Sequence, residues 1–140
     1  MAKKSTYSIF LITITLISTA CSILSGAAAD DLDGTQWELL YLRKSTPEPG
    51  SRITIQFTDG QVQGNAGCNT FFGAYKTTGN EISFSQLVTT EMACLEPEGI
   101  MRQEQEFLRF LSEIVNYSVE GERLILSKTQ QDQLTFDKNY

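Results

Sequence analysis

Two cysteines, Cys68 and Cys94, and 17 Asp and Glu side chains are the groups in this 140-residue sequence best suited to act as nucleophiles, redox pairs, acid–base catalysts or metal ligands. Histidine is absent. Without imidazole, Ser-His-Asp and Cys-His catalysis are excluded, as is every zinc or iron site that requires it. A nucleophilic Cys68 or Cys94 would need a neighbouring base or cation to lower its pKa. Two thiolates alone leave a metal shell incomplete. A carboxylate pair could hydrolyse glycosides, and Asp59, Glu81, Glu91, Glu96 and Glu98 are the candidates. In so acidic a chain such pairs also arise by accident, as solvated surface charge. The residue types therefore point to a non-enzymatic protein, with no catalytic residue, no cofactor and no metal.

The first 29 residues read as an export signal. Lys3 and Lys4 form a positive start, Ile9–Ile17 an apolar stretch, and no acidic residue precedes Asp30. Two cleavage readings stand side by side. Ala27-Ala-Ala29 offers the small residues that a signal peptidase accepts, leaving a domain of residues 30–140. Ser18-Thr-Ala20-Cys21 resembles a lipobox, which would remove residues 1–20 and lipidate Cys21. Residues 5–29 are also long enough to remain as a membrane anchor. The two lysines are part of 11 Lys and Arg, so nine remain against all 17 acids, a formal charge of −8 beyond the signal. That balance argues against nucleic acid as a partner and against adhesion to anionic lipid. Any membrane contact would run through the N-terminus. In an exported domain of this size an even cysteine pair favours a Cys68–Cys94 disulfide, with two buried free thiols as the alternative. Closing a loop of about 25 residues would contribute roughly 3 kcal/mol.

The elements that must position these groups follow from periodicity. Trp37, Leu39 and Tyr41 share one face of a first strand, and Ile53, Ile55 and Phe57 one face of a second. Between them Pro47, Pro49 and Gly50 mark a loop. Asp59-Gly60 signals a tight hairpin returning through Gln61–Gly64, and a second hairpin turns at Gly79-Asn80. Residues Leu87–Met92 form a short extended run. Pro97 and Glu98 mark the entrance of one amphipathic helix of about four turns. Its core face carries Phe107, Leu108, Leu111, Ile114 and Val115, and its polar side includes Arg102, Gln103, Gln105, Glu106, Arg109 and Glu113. Tyr117 and Val119, Leu124 and Leu126, and Leu134 and Phe136 supply the closing strands. Seven or eight short strands and one helix predict an α+β fold, its antiparallel sheet strongly bent or closed into a small barrel.

From Gly64 to Tyr75 the chain reads GNAGCNTFFGAY. This stretch resembles the G-x-x-GCN-x-x-x-G-x-Y signature of the META domain, or HslJ-like family. Leu32–Leu39 resembles the family's opening L-x-GT-x-W-x-L, and Thr89-Thr-Glu-Met-Ala-Cys94 its T-x-MAC segment. Glu104–Leu111 is similar to the family's helix, and Leu124–Leu126 and Leu134–Phe136 to its closing strands. The likeness covers residues 32–136. It implies a bent antiparallel sheet, described as a cracked or incomplete barrel, with one helix. It also implies an envelope protein, in several members a lipoprotein, associated in bacteria with heat shock and novobiocin resistance. A structural likeness to secretin-pilot lipoproteins has been noted for the fold, and no enzymatic activity is established for the family.

The motif residues have physical readings of their own. Gly64, Gly67 and Gly73 suit positive φ or close strand approach, Asn69 suits a turn, and Thr89 and Thr90 a half-buried extended segment. The functional alternative makes Asn69, Tyr75, Thr90 and Glu91 the rim of a ligand pocket. Three roles are consistent with the sequence. One is an envelope or periplasmic accessory protein that binds another protein under stress. A second is a small-ligand carrier using the barrel interior, and a third an inhibitor of a secreted hydrolase. The inward set of Trp37, Phe57, Phe71, Phe72, Tyr75, Phe84, Phe107 and Phe110 is bulky and favours a filled interior.

Overall fold

The computed structural model describes residues 31–139. The export signal, both cleavage readings and Cys21 lie outside them. Eight antiparallel strands follow in chain order: β1 (Gln36–Leu42), β2 (Thr54–Thr58), β3 (Gln61–Asn65), β4 (Thr70–Thr78), β5 (Glu81–Thr89), β6 (Asn116–Glu120), β7 (Arg123–Ser127) and β8 (Gln133–Lys138). One helix, α1 (Ile100–Ser112), lies between β5 and β6. Each strand pairs with its neighbours in sequence, and β8 returns to β1, so the sheet closes on itself. The β5–β6 seam is the thinnest part of the ring. It rests on one residue pair, Glu81 and Asn116, with backbone bonds from Ile82 N to Val115 O and from Tyr117 N to Asn80 O. The chain leaves one side of this seam through α1 and re-enters on the other.

The alternating positions face inward as their periodicity predicts: Trp37, Leu39, Ile53, Ile55, Phe57, Val62, Leu124, Leu126, Leu134 and Phe136 are all buried. Phe71 and Phe107 meet edge to face at 5.7 Å, and Phe57 and Tyr75 at 4.9 Å. Such contacts add roughly 0.5–1.5 kcal/mol per pair to the burial of the rings themselves. Trp37 also satisfies its indole N–H, donating to Thr35 Oγ1 at 2.7 Å. Asp59 and Gly60 both take positive φ, 50° and 74°, as a two-residue turn between right-twisted strands requires.

Three expectations need correction. The β1–β8 register shifts between Leu39 and Tyr41, so Leu40 is an extra residue and the alternation inverts beyond it. Tyr41 is therefore exposed and Leu42 buried. A second shift, opposite Gly73, places the extra residue on β5, with Gln86 at φ 54°. Alternation on β4 is unbroken, so Phe72, between the buried Phe71 and Tyr75, lies outside the barrel rather than in the core. The helix begins at Ile100, not at Pro97 and Glu98, because Gly99 at φ 89° breaks the helical path, and no acid occupies its first turn. Its 13 residues make about 3.6 turns, in keeping with the expected length. Ile114 is buried just beyond its end and Val115 is exposed, while Gln103 is buried on the core side.

At the helix C-terminus Glu113 meets Lys128 at 2.8 Å and Arg109 at 3.5 Å. The hydrogen bond and charge of Lys128 hold the Glu113 carboxyl below its ordinary pKa. A depressed carboxyl pKa contributes stability above the unfolded value and loses it as pH falls through the folded one. The stability difference between wild type and Lys128→Met should therefore be full at neutral pH. It should shrink once pH drops below the ordinary glutamate value of about 4.3, as read by urea denaturation across pH; a difference unchanged at acid pH would refute the linkage.

Among the glycines of the described residues, Gly64 faces the tightest backbone approach. A Cβ there would stand 1.9 Å from the Thr54 carbonyl oxygen and 2.8 Å from the Phe71 ring. Neither backbone nor core ring can yield that much. Gly64→Ala should therefore abolish folding or lower the melting temperature severely. Gly79→Ala has positive φ but open space and should cost only about 1–2 kcal/mol. Equal losses in the two variants would contradict the close approach.

Candidate functional site

The turn between β3 and β4 carries the GCN part of the motif, and its backbone cannot satisfy itself. Gly67 takes φ 124°, a conformation L side chains rarely adopt, and its N–H donates to Asn65 Oδ1 at 2.7 Å. The next two amides point inward. Cys68 N and Asn69 N both donate to Glu104 Oε2, at 3.1 and 2.6 Å, and Asn69 Nδ2 donates to Glu104 Oε1 at 2.7 Å. Glu104 projects from α1 and is only 5% exposed. A buried carboxylate is tolerated when its oxygens are met by donors, and here three N–H groups converge on it.

Asn69 is used completely. Its Oδ1 accepts from Met92 N at 2.7 Å and from Thr90 Oγ1 at 2.8 Å, while Nδ2 also donates to Met92 O at 3.1 Å. The side-chain amide thus pairs with Met92 much as a neighbouring strand would. Thr70 and Thr90 add a rung through Thr90 N to Thr70 O and Thr70 N to Thr90 Oγ1. Beside this network Cys68 and Cys94 form a disulfide, their Cα atoms 5.9 Å apart. The loop it closes, 26 residues in sequence separation, corresponds to roughly 3 kcal/mol in the chain-entropy account.

The predicted pocket rim separates into different places. Asn69 and Thr90 come together, but in a hydrogen-bonded joint rather than around a cavity. Tyr75 is buried in the barrel against Phe57, and Glu91 is exposed on the segment after β5. Gly73 lies on β4 at the register shift, where a Cβ would meet Leu87 and the Ser85 carbonyl. One outer groove, of about 380 Å³, runs beside Phe72 and Gly73, and two others lie away from the motif. One of about 480 Å³ is lined by Lys76, Glu81 and Val115 near the seam, and one of about 410 Å³ by Arg43, Lys44 and Asp132. Asp59, Glu81, Glu91, Glu96 and Glu98 are all exposed.

Residue types and motif spacing missed Glu104 as a site residue. A signal was present: Ile100, Glu104, Phe107 and Leu111 recur at spacings of four, three and four, which puts the acid in the middle of the apolar stripe. Gln103 is the second such case. It is buried and donates to Ser51 Oγ at 2.8 Å, while its Oε1 accepts from Glu48 N, tying α1 to the β1–β2 loop.

The family model described as META domain matches residues 30–140. The chain belongs to the META-domain family. Solved structures agree on the fold. A Burkholderia xenovorans protein solved by NMR is 28% identical, with a TM-score of 0.65, over 77% of this chain and 83% of its own. A second NMR structure is 21% identical, with a TM-score of 0.61, over 76% and 90%. A DUF4847 family protein from Bacteroides vulgatus is 14% identical, with a TM-score of 0.56, over 77% and 94%. No curated protein matches the chain.

In this META domain the motif is a joint between turn, helix and post-β5 segment, so its members should be energetically coupled. Glu104→Ala should destabilise by about 3 kcal/mol or more, because it strands three donors that are buried or nearly so. Combined with Asn69→Ala it should cost clearly less than the two single losses together. Additivity within about 0.5 kcal/mol in urea denaturation would refute the coupling. Cys68→Ala and Cys94→Ala should each lower the melting temperature, and the double variant should be no worse than either.

Proposed function

We propose that this META-domain protein is an exported, non-enzymatic component of the cell envelope that acts by binding another protein through its outer surface. The observation that carries the reading is the use made of the motif. Its polar atoms are spent on one another and on Glu104, and the barrel interior is filled by Trp37, Phe57, Phe71, Phe107 and Phe136. A carrier would need an apolar space where those rings sit. The buried carboxylate is occupied by structural donors, which weighs against giving it a proton-transfer role. The apolar start of the chain and the Cys68–Cys94 pair support export. The stress-response association comes from the family resemblance.

The intact mass of the protein from its native envelope tests the export part of this reading. The expected chain begins at Asp30, or at Cys21 with acyl groups, and gains the mass of two hydrogen atoms on reduction of Cys68–Cys94. A chain recovered from the cytosol with residues 1–20 still attached and both thiols free would overturn export.

A further inference from the structure

The exposed apolar side chains are unevenly distributed. Of the six large ones among the described residues, Tyr41 and Val115 stand apart, while Phe72, Val88, Met92 and Leu95 belong to β4, β5 and the segment that follows. Phe72 and Val88 are cross-strand partners. Positions 88, 90 and 92 succeed one another along the segment, and all three are exposed. Leu95 is 87% exposed. This is a contiguous stretch of chain, not scattered surface hydrophobics.

Its charge is one-sided. From Glu81 to Glu98 there is no Lys or Arg, and Glu91, Glu96 and Glu98 are exposed without an ion pair among the described residues. Elsewhere Glu38, Glu48, Glu113, Asp132 and Asp137 each have an Arg or Lys partner, while Asp59, Glu106 and Glu120 have none among the described residues. The segment is set apart by holding no Lys or Arg at all. The segment is also held in shape. Met92 is bonded through both N–H and C=O to Asn69, Cys94 is bound to Cys68, and Cys94 N donates to Met101 Sδ at 3.4 Å. A pre-shaped loop loses less freedom on binding than a mobile one.

We infer that this face, from Phe72 and Val88 to Leu95, is a docking surface for a protein segment presenting apolar side chains flanked by lysine or arginine. The inference rests on the protein-binding reading above and names its surface and the partner's chemistry. Charge complementarity selects this occupant. An anionic membrane would meet the three glutamates with like charge. A second copy would bring the same glutamates against themselves.

The test uses the ¹⁵N-labelled protein as its host processes it, titrated with an amphipathic peptide of leucine and lysine. The same peptide with glutamate replacing lysine, and vesicles containing phosphatidylglycerol, serve as comparators. The leucine–lysine peptide should shift amides within residues 70–73 and 87–96. Val88→Ser with Leu95→Ser should weaken it at least tenfold with the remaining spectrum unchanged, and Glu91→Lys with Glu96→Lys should transfer preference to the glutamate peptide. Shifts spread over the whole acidic surface and indifferent to these substitutions, equal shifts from the vesicles, or self-association through this face would overturn the proposal. In native envelopes a photo-crosslinking side chain at Leu95 should join a partner at a segment carrying Lys or Arg among apolar residues. Crosslinks from Tyr41 but not from Leu95 would overturn this surface and leave protein binding standing; none from any outer position would overturn both.

Discussion

The Glu104 carboxylate is the point on which the upper part of this barrel hangs. A turn containing Gly67 in a left-handed conformation directs two successive amides inward, and those amides need an acceptor that no strand supplies. The acceptor comes from the helix. One side chain thereby ties α1 to the β3–β4 turn and orients Asn69, while Gln103 and Phe107 hold the helix at other points. Asn69 in turn organises Met92 and Thr90. Buried hydrogen bonds of this kind contribute modestly when made and cost heavily when one partner is lost. The network therefore acts as a requirement for one arrangement more than as a source of stability. The disulfide imposes the same geometry covalently.

The barrel below depends on close approach. A Cβ at Gly64 would run into the Thr54 carbonyl, and the two register shifts change which residues face inward. Together they curve a sheet of short strands until β8 reaches β1. The ring is thin at the β5–β6 seam, where a single residue pair closes it. The connection across that seam is α1, whose Phe107 packs on Phe71 of β4. The ring is closed by strand backbone at the seam, and the connection packed against its wall is the element that carries Glu104.

For function, the consequence is a displacement from inside to outside. The motif that distinguishes the META domain is consumed in building the joint, and the interior is consumed by aromatic packing. What the joint leaves free is the segment it holds: an exposed stretch of apolar and acidic side chains fixed at its base. On the reading proposed, the chemistry of the motif serves binding indirectly, by presenting that segment in one shape.

Much of this was legible in the chain itself. Period-two alternation placed the inward residues of β2, β7 and β8, Asp59-Gly60 placed a turn, and the ordered motifs placed the family, because each depends only on residues close in sequence. Tyr41 could not be placed that way. Its face is set by a bulge, which exists only relative to a partner strand. Phe72 is the opposite case: unbroken alternation between the buried Phe71 and Tyr75 sends it outside. Glu104 lay in a visible stripe, yet the stripe does not say what an acid in it will meet. Its donors are 35 and 36 residues away in sequence, and only folding brings them within hydrogen-bond distance. The same holds for the predicted rim: Asn69, Tyr75, Thr90 and Glu91 cluster along the chain. The pleat sends Tyr75 into the core, and the turn spends Asn69 on Thr90, Met92 and Glu104. Sequence alone determined most of the elements, because local periodicity dictates them, and the family, because its motifs stand in order along the chain. Which polar groups are spent and which remain outside was decided by tertiary contacts between distant residues.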